Sequence, residues 1–171
     1  LQSPSFLYRT ELGGGAAPGA LTTLTPYELA TQLSFLVIDS MPDDELWRVA
    51  QDGTLAKPDV LKAQTERLLQ TPRAHQNIAR IFLKWLGLGA GVVTELNAAA
   101  FPEYDDALRA SMLQESTRFL TSLLDQGGTL QDLVSSRKSF VDSRLAALYG
   151  VPYTGSGDFV PADLPPERAG I

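Results

Sequence analysis

The stretch DDALRASMLQESTRFLTSLLDQGG, residues 105–128, decides the fold class. Leu108, Met112, Phe119, Leu120, Leu123 and Leu124 fall on one side of a 3.6-residue period, so the spacing predicts a long helix from Asp105 to about Asp125. Asp105 supplies a start signal and Gly127-Gly128 a stop. One charged residue breaks the pattern. Glu115 lies seven residues after Leu108 and four before Phe119, which puts a carboxylate on the apolar face. A buried carboxylate must be paired, hydrogen-bonded or protonated, because an isolated charge away from water is costly. Two readings of Glu115 follow. It is a general acid or base, or it is one half of an ion pair between helices, with Arg80 and Arg73 as the nearest cationic candidates in the preceding long helix.

Outward from this helix the same signals recur. Thr25-Pro26-Tyr27-Glu28 combines a cap, a first-turn proline and a capping-box acid, and opens a helix whose stripe is Leu29, Leu33, Leu36 and Val37. Pro42-Asp43-Asp44-Glu45 starts a short helix that Gly53 closes. Pro58 opens another through Gln70, with Leu61, Leu68 and Leu69 inward. The helix after Thr71-Pro72 carries the stripe Ile78, Ile81, Phe82, Trp85 and Leu86, ended by the glycines at 87, 89 and 91. Thr129 with Asp132, and Asp142, mark two further short helices. No strand pattern of period two stands out.

These signals predict an all-α fold, an irregular bundle of about six or seven helices, with the pair around Trp85 and Met112 antiparallel at its centre. Residues 1–24 read as an arm and glycine-rich linker, 25–150 as the helical domain, and 151–171, rich in Pro, Gly and Asp, as an irregular second arm. Phe6, Leu7 and Tyr8 in the first arm are the candidate interaction residues.

Composition excludes several function classes. The chain has 171 residues, no Cys and a single His, His75. Thiolate catalysis, Cys-ligated zinc, iron–sulfur clusters and covalent haem attachment therefore have no ligands within it, and neither does a His-based triad or a multi-histidine metal site. His75 reads as a surface histidine, with no acid three or four residues away to complete a metal face. A net charge of −6, with no basic cluster, argues against a nucleic-acid partner. No segment approaches the roughly 18 to 20 apolar residues of a membrane span. Gly13-Gly14-Gly15 lacks the strand, Lys and helix start of a phosphate loop, and neither Asp43-Asp44-Glu45 nor Asp105-Asp106 has calcium-loop spacing. Trp47, Trp85 and Phe82 could form an aromatic platform, but the stripe around Trp85 reads as core.

The ordered blocks SPSFLYRTE (3–11), LTPYELATQLSFLVIDSMPDDELWRVAQDGTL (24–55), TPRAHQNIARIFLKWLGL (71–88), FPEYDDALRASMLQEST (101–117) and FVDSRLAALYGV (140–151) resemble a domain-of-unknown-function family. That family is found in large exported proteins of planctomycetes and myxobacteria. The chain departs from its pattern at Val37, where a Trp is usual, and at Asp142, where an Asn is usual. The resemblance implies an extracytoplasmic setting in the periplasm or cell envelope, neighbouring domains or subunits of the same protein as partners, and a c-type haem carried elsewhere in the full-length polypeptide, with no cofactor in this chain. It implies no catalytic residue. Two functions are open on this basis. One is a non-catalytic structural or interaction module of a larger haem-associated protein. The other is a part of a redox or hydrolytic enzyme that contributes Glu115 or Trp47 to a site completed by other domains.

Overall fold

A computed structural model describes residues 11–15, 17, 19–88 and 99–170. Among the described residues the chain forms seven helices and one two-stranded sheet, a mostly α architecture as the helical spacing predicts. In chain order these are α1 (Pro26–Ile38), α2 (Asp44–Gln51), α3 (Pro58–Leu69), α4 (Pro72–Trp85), α5 (Asp106–Asp125), α6 (Leu130–Ser135), β1 (Lys138–Val141), α7 (Ser143–Tyr149) and β2 (Val160–Asp163). They divide into two compact units, Leu1–Ala74 and His75–Ile171. The candidate interaction residues Phe6, Leu7 and Tyr8 lie outside the described residues.

In the first unit, caps set the helix boundaries. Thr25 and Glu28 form the expected capping box, and the same Glu28 carboxylate also accepts from the amides of Leu12 and Gly13. Asp43 caps α2 by accepting from the Leu46 amide at 2.9 Å and also receives both terminal nitrogens of Arg67 from α3, at 2.7 and 2.9 Å. One carboxylate thus starts one helix and fastens another to it. The core collects Ala30, Leu33, Val37, Leu46, Leu55 and Leu68 from the three helices and the turn after α2. Leu36, expected in the stripe of α1, is 69% exposed. The inward positions are instead filled by Ala30, Ser34 and Ile38, and the Ser34 hydroxyl satisfies itself on the Ser40 carbonyl at 2.7 Å.

In the second unit, α5 is the central element. Its predicted boundaries hold: Asp105 accepts from the Leu108 amide, and Gly127, at φ 65°, takes the left-handed conformation that ends the helix. Phe119 and Leu120 join Ala79 and Leu83 of α4 and Leu133 of α6 in one cluster. His75 near the start of α4 meets Asp125 at the end of α5, as antiparallel neighbours do. The centre of that pair differs from the expectation. Trp85 is 75% exposed, Ile81 47% and Leu86 39%, because the buried face of α4 is rotated toward Ala79 and Leu83. Met112 packs in a separate cluster with Leu108, Val141, Leu145 and Leu164.

The sheet was not legible as a period of two. β1 and β2 are four residues each and pair antiparallel, Lys138 opposite Asp163 and Val141 opposite Val160. Residues 151–170, read as irregular, therefore contain a strand, and Leu164 just after it is buried. The alternation on β1 places Ser139 and Val141 inward. That register delivers Ser139 to α5.

Candidate functional site

The polar centre of the second unit is built around Glu115. Ser111 and Glu115 sit one turn apart on the face of α5 that also carries Leu108 and Phe119. β1 brings Ser139, whose hydroxyl donates to Glu115 Oε1 at 2.6 Å, and α7 brings Tyr149, whose hydroxyl donates to Oε2 at 2.6 Å. One turn away Ser111 donates to Asp142 Oδ2 at 2.5 Å, while Asp142 Oδ1 accepts from the Leu145 amide and caps α7. At the far end Asp105, the cap of α5, also takes Arg144 of α7 at 3.1 Å. Four polar pairs thus join α5 and its cap to the β1–α7 segment, and each includes a carboxylate.

Burial, and then the hydrogen bond to the Glu115 carboxylate, pushes the Tyr149 phenol well above its ordinary value of 10.0. The phenol therefore keeps its proton. Arg168 lies 4.5 Å over the Tyr149 ring, a cation–π contact on the face of the ring. Asp105 is held below the usual carboxylate range by the Leu108 amide and by Arg144. Both Glu115 oxygens accept from donors that the fold itself supplies. Chemically this is a clamp: an acceptor at the centre and two hydroxyl donors from elements distant in sequence.

Glu115 therefore lies where the helical period puts it, but its partners are not the expected arginines. Arg73 donates to the Ile38 carbonyl at 3.0 Å, and Arg80 to Asn77 Oδ1 at 2.7 Å. Hydroxyls replace the ion pair, which spares the site a second desolvated charge. Ser139 also borders an open cleft of about 390 Å³ with Phe119, Ser122, Gln126 and Lys138.

Trp47 is half-buried against Tyr27, ring centroids 5.5 Å apart and tilted by 49°. It belongs to the first unit and Glu115 to the second. Trp85, expected in the core, is exposed beside Phe82, with centroids 5.5 Å apart. His75, expected as a surface residue without an acid, has a side chain only 15% exposed, and its Nδ1 lies 2.5 Å from Asp125 Oδ1. The acid comes from another helix, beyond the reach of a local spacing rule. Among the described residues no group of three or more His, Asp or Glu side chains converges as a metal site, and no helix is long and apolar enough to cross a membrane.

Sequence reasoning missed Ser139 and Tyr149. Tyr149 carries one usable signal, since it follows Leu145 by four residues and so falls on the buried face of α7. Ser139 carries none, because a four-residue strand is too short for its period to be read.

The family PSD4, protein of unknown function (DUF1592), matches residues 24–151. No curated protein and no solved structure matches the chain. The match covers most of its length, and the chain belongs to this family.

Proposed function

We propose that this member of the DUF1592 family is a non-catalytic helical module of a larger exported, haem-associated protein, and that it holds neighbouring domains or a partner in position. The closure of the polar centre supports this reading. Glu115 is the carboxylate best placed for chemistry, and both its oxygens are occupied by the module's own hydroxyls. A general base has to reach a substrate proton, and here each oxygen already holds a 2.6 Å contact from the module's own hydroxyls, which leaves it only a second lone pair with which to accept. The haem belongs elsewhere in the polypeptide, since a chain without Cys has nothing to attach it covalently. An extracytoplasmic setting goes with the same reading.

The test uses the full-length polypeptide, with lysine cross-linking read by mass spectrometry and turnover measured for Glu115→Gln. Cross-links from Lys57, Lys62 and Lys84 to flanking domains, with turnover unchanged in a stably folded Glu115→Gln protein, are the expected result. A stable variant that loses turnover refutes the module reading. It would instead favour the enzyme reading, with the cleft beside Ser139 as the place to look for substrate.

A further inference from the structure

Residues 159–170 lie beyond the family match, yet they are gripped along their length by residues inside it. Val160–Asp163 pairs with β1 in a single antiparallel register. Val160, Ala162 and Leu164 alternate toward the cluster of Leu108, Val141 and Leu145, while Pro161 and Asp163 face outward and are exposed. Proline suits an outward edge position, where no ladder donor is needed. The two backbone polar groups of Leu164 are both taken by Arg137: its amide donates to the Arg137 carbonyl at 2.7 Å, and Arg137 Nε donates back to its carbonyl at 2.8 Å. Side chains reinforce both ends. Arg118 lies 4.9 Å over the Phe159 ring, and Arg168 lies 4.5 Å over the Tyr149 ring. At the far end the Gly170 amide donates to the Ser136 carbonyl at 2.8 Å. Gly170 has φ +72°, and a Cβ there would come within 2.7 Å of the Val134 backbone, so the groove admits glycine and rejects a side chain.

We infer that residues 24–151 carry a strand-accepting groove, formed by β1, α5, α6 and α7, and that its ligand is the segment 159–170 of the same chain. The recognition is that of strand addition: backbone pairing supplies affinity, and alternate side chains with a terminal glycine supply register. The ligand is an extended peptide with an aromatic residue first, apolar residues at alternate positions, then Arg and Gly. The stretch between the groove's own residues and its ligand is of a different kind. Thr154, Ser156, Gly157 and Asp158 are exposed, and Tyr153 is the residue that organises them, its hydroxyl donating to the Asp158 carbonyl and accepting from the Gly157 amide. The inference stands apart from the proposed function, since a groove of this kind would serve a catalytic or a non-catalytic module equally.

The test inserts a protease recognition site after Ser156 in the full chain and cuts it in the folded protein. The cut fragment is expected to co-elute with the remainder on gel filtration and to separate only in denaturant. In the cut protein Gly170→Val is expected to raise the dissociation rate roughly five- to tenfold, the equivalent of about one lost hydrogen bond, with the helical circular dichroism unchanged. Immediate loss of the wild-type fragment on cutting overturns the inference. So does a fragment that exchanges into dimers, which would make a second copy the occupant, and so does a Gly170→Val fragment that leaves at the parent rate.

Discussion

Tyr149→Phe removes a single hydroxyl and leaves the ring, its packing and the Arg168 contact in place. The lost bond is 2.6 Å long and ends on the Glu115 carboxylate. Hydrogen bonds to charged groups contribute about 1.5–3 kcal/mol net. Tyr149 and Glu115 are both half-buried, and water competes for the freed oxygen, so the expected loss sits at the low end, about 1.5 kcal/mol. The assay is urea unfolding of Tyr149→Phe, Glu115→Ala and the double variant, followed by far-ultraviolet circular dichroism. A coupling energy of about 1 kcal/mol or more is expected between the two positions. Additivity within about 0.3–0.5 kcal/mol would refute the clamp. A pH signature accompanies it. The folded phenol titrates above the unfolded value of 10.0, so the folded state binds more protons in that range. The stabilisation is complete below pH 10 and declines as pH rises toward the folded value. Tyr149→Phe should therefore flatten the alkaline limb of the stability profile, and an unchanged limb would count against the mechanism.

Asp43→Asn keeps a capping oxygen for α2 but loses the charge that receives Arg67, and is expected to cost about 0.5–1 kcal/mol at this partly exposed site; Asp43→Ala should cost about 1 kcal/mol more. Arg67 holds the Asp43 carboxyl below its ordinary 3.8, so this contribution is full above that pH and fades as pH falls further, and acid titration of Asp43→Asn should show a shallower limb. Glu28, pulled down to about 2 by the Thr25 amide and hydroxyl and by Gly13, should titrate there by NMR, with its contribution complete above 4.5 and lost on approach to pH 2; a Glu28 midpoint near 4.5 would mean that its capping network does not persist in solution. Leu83→Ala should cost about 2–4 kcal/mol while Trp85→Ala stays within about 0.5 kcal/mol, and equal costs would mean that the face of α4 has been assigned wrongly.

The parts of the fold that were legible are those written in local signals. The caps at Thr25, Asp43, Asp105, Thr129 and Asp142 all act at the amide three residues on, within one helical turn. Their chemistry is complete in four residues, so it can be read without knowing the fold. The stripe of α4 misleads for the opposite reason. Ile81, Trp85 and Leu86 are periodic and apolar, but alanines can line a helix interface more closely than they can. Here Ala74 and Ala79 are fully buried and Leu83 nearly so, while Ile81, Trp85 and Leu86 remain outside. Hydrophobicity ranks Trp85 above Ala79. Packing density selects the smaller side chain.

The candidate site divides along the same line. Period alone places Glu115 on a buried face, and the cost of burying a carboxylate then requires a partner. It does not say which partner, because Ser139 and Tyr149 lie 24 and 34 residues further along and reach α5 only through the register of β1 and the direction of α7. An arginine is the partner that charge arithmetic favours. A pair of hydroxyls serves better at a half-buried position, since each oxygen gains a donor and no second ion has to shed its water. The choice is visible one turn earlier as well, where Ser111 donates to Asp142 with the roles of helix and cap exchanged. Serine and a carboxylate meet twice across the same pair of segments, once in each direction. That reciprocity ties α5 to the β1–α7 segment in one register, because sliding either by a residue would strand two carboxylates at once.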